Sequence, residues 1–104
     1  MCIRDRSAAK AGIEGFARSA AATYAKDNLR VNVIAPSIMD SNMSQKILST
    51  ETAREVSKNM HPISKIGDTD DILPVIKWLL SPDAKWVTGQ TIHVDGGLST
   101  VKPR

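Results

Sequence analysis

Most of the chemistry this sequence offers sits in Pro36–Asn42, where Ser37, Asp40, Ser41 and Asn42 surround Ile38 and Met39. The segment follows Arg30–Ala35, which is short, β-branched and apolar around Asn32, and reads as a strand buried on both faces. Open α/β sheets bind ligands at the carboxyl ends of their strands, so hydroxyls and backbone groups here are placed to hold a polar ligand. The bland alternative is a plain strand-to-helix connection. Elsewhere the reactive residue types are dispersed. His61 and His93 have no partner one helical turn away and no carboxylate cluster beside them, so they read as structural or surface histidines and no metal is expected. Cys2 is the single cysteine and cannot form an internal disulfide. Gly12 and Gly15 fall inside a helical pattern, where they cannot make a phosphate-binding turn, and neither a G-x-G-x-x-G nor a Walker pattern occurs. Trp78 and Trp86 read as core or interface packing rather than as a stacking platform.

These residues need elements to hold them. From Ser7 to about Lys26, Ala9, Ile13, Phe16, Ala17, Ala20 and Tyr24 recur at steps of three and four, which predicts one long helix. Within it Gly12 and Gly15 each cost up to ~1 kcal/mol relative to alanine, which predicts close approach of another backbone. Met43 to about Asn59 is weakly amphipathic, with Ser49 and Thr50 dividing two short helices. Ile72, Val75, Ile76, Leu79 and Leu80 form the next apolar stripe, capped by Asp68 or Thr69. Pro74 predicts a kink there, or a late start near Asp71. After Ser81–Asp83 stops that helix, Gln90–Val94 reads as a second buried strand ended by a turn at Asp95–Gly97. The order helix, strand, helices, helix, strand implies an α/β fold with two adjacent parallel strands joined by a helical crossover. Such a sheet is open, and both of its edges would need covering.

Composition bounds the rest. With 104 residues the chain is at most one small domain, and 41% hydrophobic against 24% charged residues is the balance of an ordinary globular protein. Fourteen basic and eleven acidic residues leave +3, scattered along the chain, so nucleic acid binding is not expected. No signal-peptide core or membrane-length apolar run occurs, so a cytoplasmic protein without membrane contact is expected.

Three separated stretches carry a resemblance: Ser7–Gly12 opening a helix, Leu29–Pro36, and Thr88–Gly97. In that order they resemble the C-terminal part of a classical short-chain dehydrogenase/reductase, most like the 3-oxoacyl-acyl-carrier-protein reductase type, over Ser7 to Leu98. The resemblance implies the C-terminal portion of a doubly wound, Rossmann-like parallel sheet, two strands with flanking helices and incomplete as a domain. It also implies hydride transfer between NAD or NADP and a small carbonyl or alcohol substrate, in a parent that is a homodimer or homotetramer. The family's catalytic pair is a tyrosine and a lysine one helical turn apart. Here Lys10 holds the lysine place and Arg6 the tyrosine place. In the family the tyrosine hydroxyl is the general acid, and the lysine lowers its pKa while binding the nicotinamide ribose. A guanidinium keeps its protons, so Arg6 could steady an oxyanion but not cycle a proton. Pro36, Ser37, Met39 and Ser41 match the family's segment beside the nicotinamide, Ser37 standing where glycine is usual. By position, Met39 would offer backbone and Ser41 its hydroxyl.

The resemblance places the glycine-rich phosphate loop, the residue that separates NAD from NADP, and the catalytic serine and asparagine upstream of this segment. The expectation is therefore a fragment of an NAD(P)-dependent oxidoreductase, inactive alone, in which residues 7–104 are family sequence and residues 1–6 are a foreign leader. The alternative is a non-enzymatic oligomerisation or interaction module, with the small-residue helix Ala8–Ala21 pairing with a complete relative.

Overall fold

A computed structural model describes residues 2–102. Met1 of the expected leader, and Pro103 and Arg104 of the family segment, lie outside the described residues. Helix α1 runs Ile3–Tyr24, strand β1 Val33–Pro36, helix α2 Glu51–Met60, helix α3 Thr69–Leu80 and strand β2 Thr91–Val94. The fold is α/β, and β1 and β2 pair side by side in parallel. The chain divides into two compact units, one of residues 1–34 and 78–92, the other of residues 35–77 and 93–104.

In the first unit α1 starts four residues before the Ser7 predicted from the apolar spacing. Ile3–Arg6 lack that spacing but contain no helix breaker, and the Arg6 N–H bonds Cys2 C=O at 3.1 Å. The helix ends in a 3-10 turn, Ala25–Asp27, closed by Asn28 in the left-handed region at φ 59°, where asparagine is one of the few non-glycine residues at ease. Its buried side chains are small ones, Ala17 and Ala21. The expected large members of the face, Ile13 and Phe16, are exposed, Phe16 to 76%. The predicted close approach at Gly12 and Gly15 is also absent: a Cβ on Gly12 would meet nothing within 4 Å, and one on Gly15 only the Arg18 side chain at 3.9 Å. The close approach falls instead on Gly89, at φ 70°, whose added Cβ would lie 3.7 Å from Ala21 Cβ.

Pairing in this unit uses side chains as rungs. The Val33 N–H bonds Gln90 C=O, and the Gly89 N–H bonds Val31 C=O, each at 2.8 Å. Between them the half-buried Asn32, one residue before β1, donates its amide N–H to Val87 C=O at 3.0 Å and accepts from Gln90 N–H at 3.1 Å; β1 itself, expected to be buried on both faces, is buried only at Ala35. The Arg30 guanidinium caps the end of α3, bonding Leu79 C=O at 2.7 Å and Val87 C=O at 3.3 Å. Trp86, expected in a core or interface, is 96% exposed, and Trp78 is exposed too. Neither tryptophan is in the core of this chain, because each lies on a face that these elements leave uncovered.

In the second unit α2 is capped by Thr50, whose hydroxyl accepts from Ala53 N–H at 3.0 Å. Helix α3 begins at Thr69, not late at Asp71, and contains Pro74. A reciprocal cap explains the early start: Asp68 Oδ1 accepts from Asp70 N–H at 2.8 Å and Asp71 Oδ2 from Asp68 N–H at 2.9 Å. Such a cap contributes ~1 kcal/mol and offsets part of the lost bond at Pro74.

Candidate functional site

The loop after β1 folds onto the connection before α3. Met39 forms an isolated parallel bridge with Gly67, made by the Asp40 N–H to Gly67 C=O at 2.8 Å. A side chain at 67 would crowd this bridge, since an added Cβ meets Asp71 Oδ2 at 3.6 Å and Met39 Cγ at 3.8 Å. Buried Ser44 fixes the loop from beneath. Its hydroxyl bonds the carbonyl oxygen of Met39, and its Oγ accepts from the Ser41 N–H at 3.0 Å. The Met39 C=O is therefore engaged inside the protein, and the Asp40 N–H makes the bridge bond. The Met39 N–H has no partner among the described hydrogen bonds.

A cavity of about 240 Å³ opens beside this loop, lined among others by Ser37, Met39, His61, Asp71, Val94 and Asp95. Ser37 is half-buried, and its φ is not in the left-handed region, so the serine replaces the usual glycine without backbone strain. His61 is almost wholly buried and touches it: Nε2 lies 2.8 Å from Ser37 Oγ, and Nδ1 lies 2.6 Å from Ser57 C=O. The structural role expected for His61 is what the fold gives it, and its attachment to Ser37 was not predicted.

Charge at the cavity is set by Asp71, Asp95 and Lys65. Asp71 is held below its ordinary 3.8 by the Asp68 N–H and then by Lys65, whose Nζ lies 2.9 Å away. Asp95 is held below 3.8 chiefly by the Ser99 hydroxyl, and further by the N–H groups of Gly97 and Ser99 at 3.0 and 3.2 Å, against the opposing effect of burial. Gly96 and Gly97, at φ 62° and 90°, supply the turn that aims those N–H groups. A depressed carboxylate stabilises the fold fully above its unfolded pKa and loses that contribution as pH falls through the folded value. The turn is therefore expected to hold down to 3.8, the ordinary value, and to loosen below it. An NMR titration of the Gly97 amide should show a midpoint below that value, abolished in Asp95→Asn; a midpoint at or above it contradicts the assignment.

The remaining predicted residues lie elsewhere. Arg6 and Lys10 are both exposed on α1, in the first unit, one helical turn apart and so on one helix face. Pro36, Ser37, Met39 and Ser41 belong to the second unit, where Ser37 and Met39 line the cavity and Pro36 and Ser41 do not. Ser44, Gly67 and the Ser37–His61 contact were missed from sequence. Among the described residues no group of three His, Cys, Asp or Glu side chains could hold a metal, and no helix is long and apolar enough to cross a membrane.

The family described as Enoyl-(Acyl carrier protein) reductase matches residues 5–99. The chain belongs to the short-chain dehydrogenase/reductase family. It is 37% identical to the 3-oxoacyl-acyl-carrier-protein reductase FabG of Thermotoga maritima over 88% of this chain and 37% of that protein. It is 34% identical to the 3beta-hydroxysteroid dehydrogenase 1 of Eggerthella lenta over 91% of this chain and 36% of that one. The chain thus spans a little over a third of the relatives it matches, 37% and 36% of these two. In structure it is similar to a 4-hydroxyisoleucine dehydrogenase complexed with NADH, with TM-score 0.85 and 27% identity over 91% of this chain and 39% of that one. A 3-oxoacyl-acyl-carrier-protein reductase from Brucella melitensis overlays at TM-score 0.81 with 30% identity, covering 90% of this chain and 34% of that one. These neighbours have the Rossmann fold, of which this chain matches a part.

Proposed function

We propose that this chain is the nicotinamide-binding side of an NAD(P)-dependent oxidoreductase acting on a small carbonyl or alcohol substrate. The observation that carries the reading is the loop Pro36–Ser41, pinned by Ser44 and Gly67 so that it borders a cavity with the Met39 N–H left outside its internal bonds. At about 240 Å³ the cavity suits one ring-sized end of a dinucleotide, being smaller than the ~300–1,000 Å³ of a site for a whole drug-sized ligand. Its groups fit a nicotinamide: a backbone N–H for the carboxamide oxygen, the Ser37 hydroxyl oxygen for its NH₂, and the apolar Ile38 and Val94 among its walls. When bound, the nicotinamide supplies the hydride. Met39 and Ser41 orient the ring, and Lys10 takes the ribose hydroxyls and holds positive charge near the proton donor. Arg6 occupies the donor's place and cannot release a proton at working pH.

The isolated chain is accordingly inactive. Purified and supplied with NADH or NADPH and a carbonyl substrate, it is expected to show no turnover above a Lys10→Ala control. Turnover that disappears in that control contradicts the proposed inactivity. The exposed apolar residues Ile13 and Phe16 of α1 favour a second reading, a non-enzymatic module that pairs with a complete relative. Co-purification of a full-length homologue with this chain, lost in Phe16→Asp, would favour that reading instead.

A further inference from the structure

His61 is 4% exposed, and both of its ring nitrogens are engaged. A carbonyl oxygen can only accept, so Nδ1, 2.6 Å from Ser57 C=O, carries the proton. In the neutral ring Nε2 is then a lone pair, and the Ser37 hydroxyl at 2.8 Å must donate into it. With its single proton committed to His61, the Ser37 oxygen can meet a cavity ligand through its lone pairs alone. We propose that His61 makes Ser37 an acceptor-only group on the cavity wall, a specificity device selecting ligands that present an N–H or O–H there. A primary carboxamide satisfies it, whereas a ketone of the same shape does not. The inference rests on the reading that this cavity takes the nicotinamide ring. Glycine, usual at this place, has no side chain with which to discriminate in this way. Asp71, Asp95 and Lys65 also line the cavity, so a fair test compares neutral ligands.

The test is an NMR titration of the whole chain at about pH 8, above the range in which an ordinary histidine is charged. The probes are nicotinamide and 3-acetylpyridine, which differ by an NH₂ for a methyl group. Nicotinamide is expected to bind roughly fivefold tighter, the worth of one ordinary hydrogen bond. Ser37→Ala should bring the two affinities together, and Ser37→Thr, which keeps the hydroxyl, should preserve the difference. Equal affinities in the unaltered chain, or a difference that survives Ser37→Ala, overturn the role of Ser37. Shifts at Met39 and Ser41 would in that case leave the nicotinamide reading standing. If neither probe perturbs Ser37–Ser41, both inferences fall.

Discussion

Fused in frame behind the amino-terminal part of the Thermotoga maritima reductase, this chain is expected to yield an enzyme that Arg6→Tyr accelerates by roughly 10²–10⁴-fold in kcat, the usual contribution of a positioned general acid. The expectation follows from the helix. Helix α1 is continuous from Ile3, so position 6 lies one turn before Lys10 on one face. A tyrosine there would share that face with the ammonium, which favours its ionised form and eases loss of the proton. The effect should appear in kcat, with the KM for the nicotinamide cofactor nearly unchanged, because Arg6 is exchanged for a proton donor while the loop proposed to hold the ring is untouched. A second substitution, Lys10→Ala in the tyrosine-bearing fusion, should reverse most of the gain. A fusion equally active with arginine or tyrosine at this position would show that the proton comes from elsewhere.

Leu48→Ala is expected to destabilise the second unit by about 2–5 kcal/mol, the range for deleting a fully buried leucine. Leu48 is 2% exposed and is the largest fully buried side chain among the described residues. Small domains have only ~5–15 kcal/mol in hand, so the change is a large fraction of the total. Urea unfolding followed by α2 and α3 signals should show a markedly lower midpoint. Its neighbour Ile47, 59% exposed, serves as the control, where Ile47→Ala should stay within roughly 1 kcal/mol. Equal losses at the two positions would mean that Leu48 is not the centre of that core.

Local signals made the elements legible. Regular apolar spacing gave α1 and α3, β-branched runs gave both strands, and Asp95–Gly97 announced the turn that its positive-φ glycines make. The loop after β1 was also legible as a loop, because proline and small polar residues follow the apolar run. What stayed hidden depends on residues far apart in sequence. Nothing near Ser44 reveals that its hydroxyl will seal the Met39 carbonyl, and nothing near His61 points to Ser37, 24 positions earlier. The helical glycines hid their packing for a related reason. Gly12 and Gly15 meet no backbone of another element, and the close contact is at Gly89. At Pro74 the local penalty is outweighed because the Asp68 cap is joined by the Asp71 carboxylate, which accepts from the Asp68 N–H.

Asn32 has one more effect, on alignment. Each strand is only four residues long, and β1 is apolar throughout, so alternation of greasy and polar side chains says little about which rung faces which. Sliding β1 by one position would strip the Asn32 amide of Val87 and Gln90 together, leaving two backbone groups and a carboxamide unpaired at the same moment. The side chain thus works as a keyway: a slipped sheet is penalised by one residue, whatever the hydrophobic surfaces on either side would tolerate.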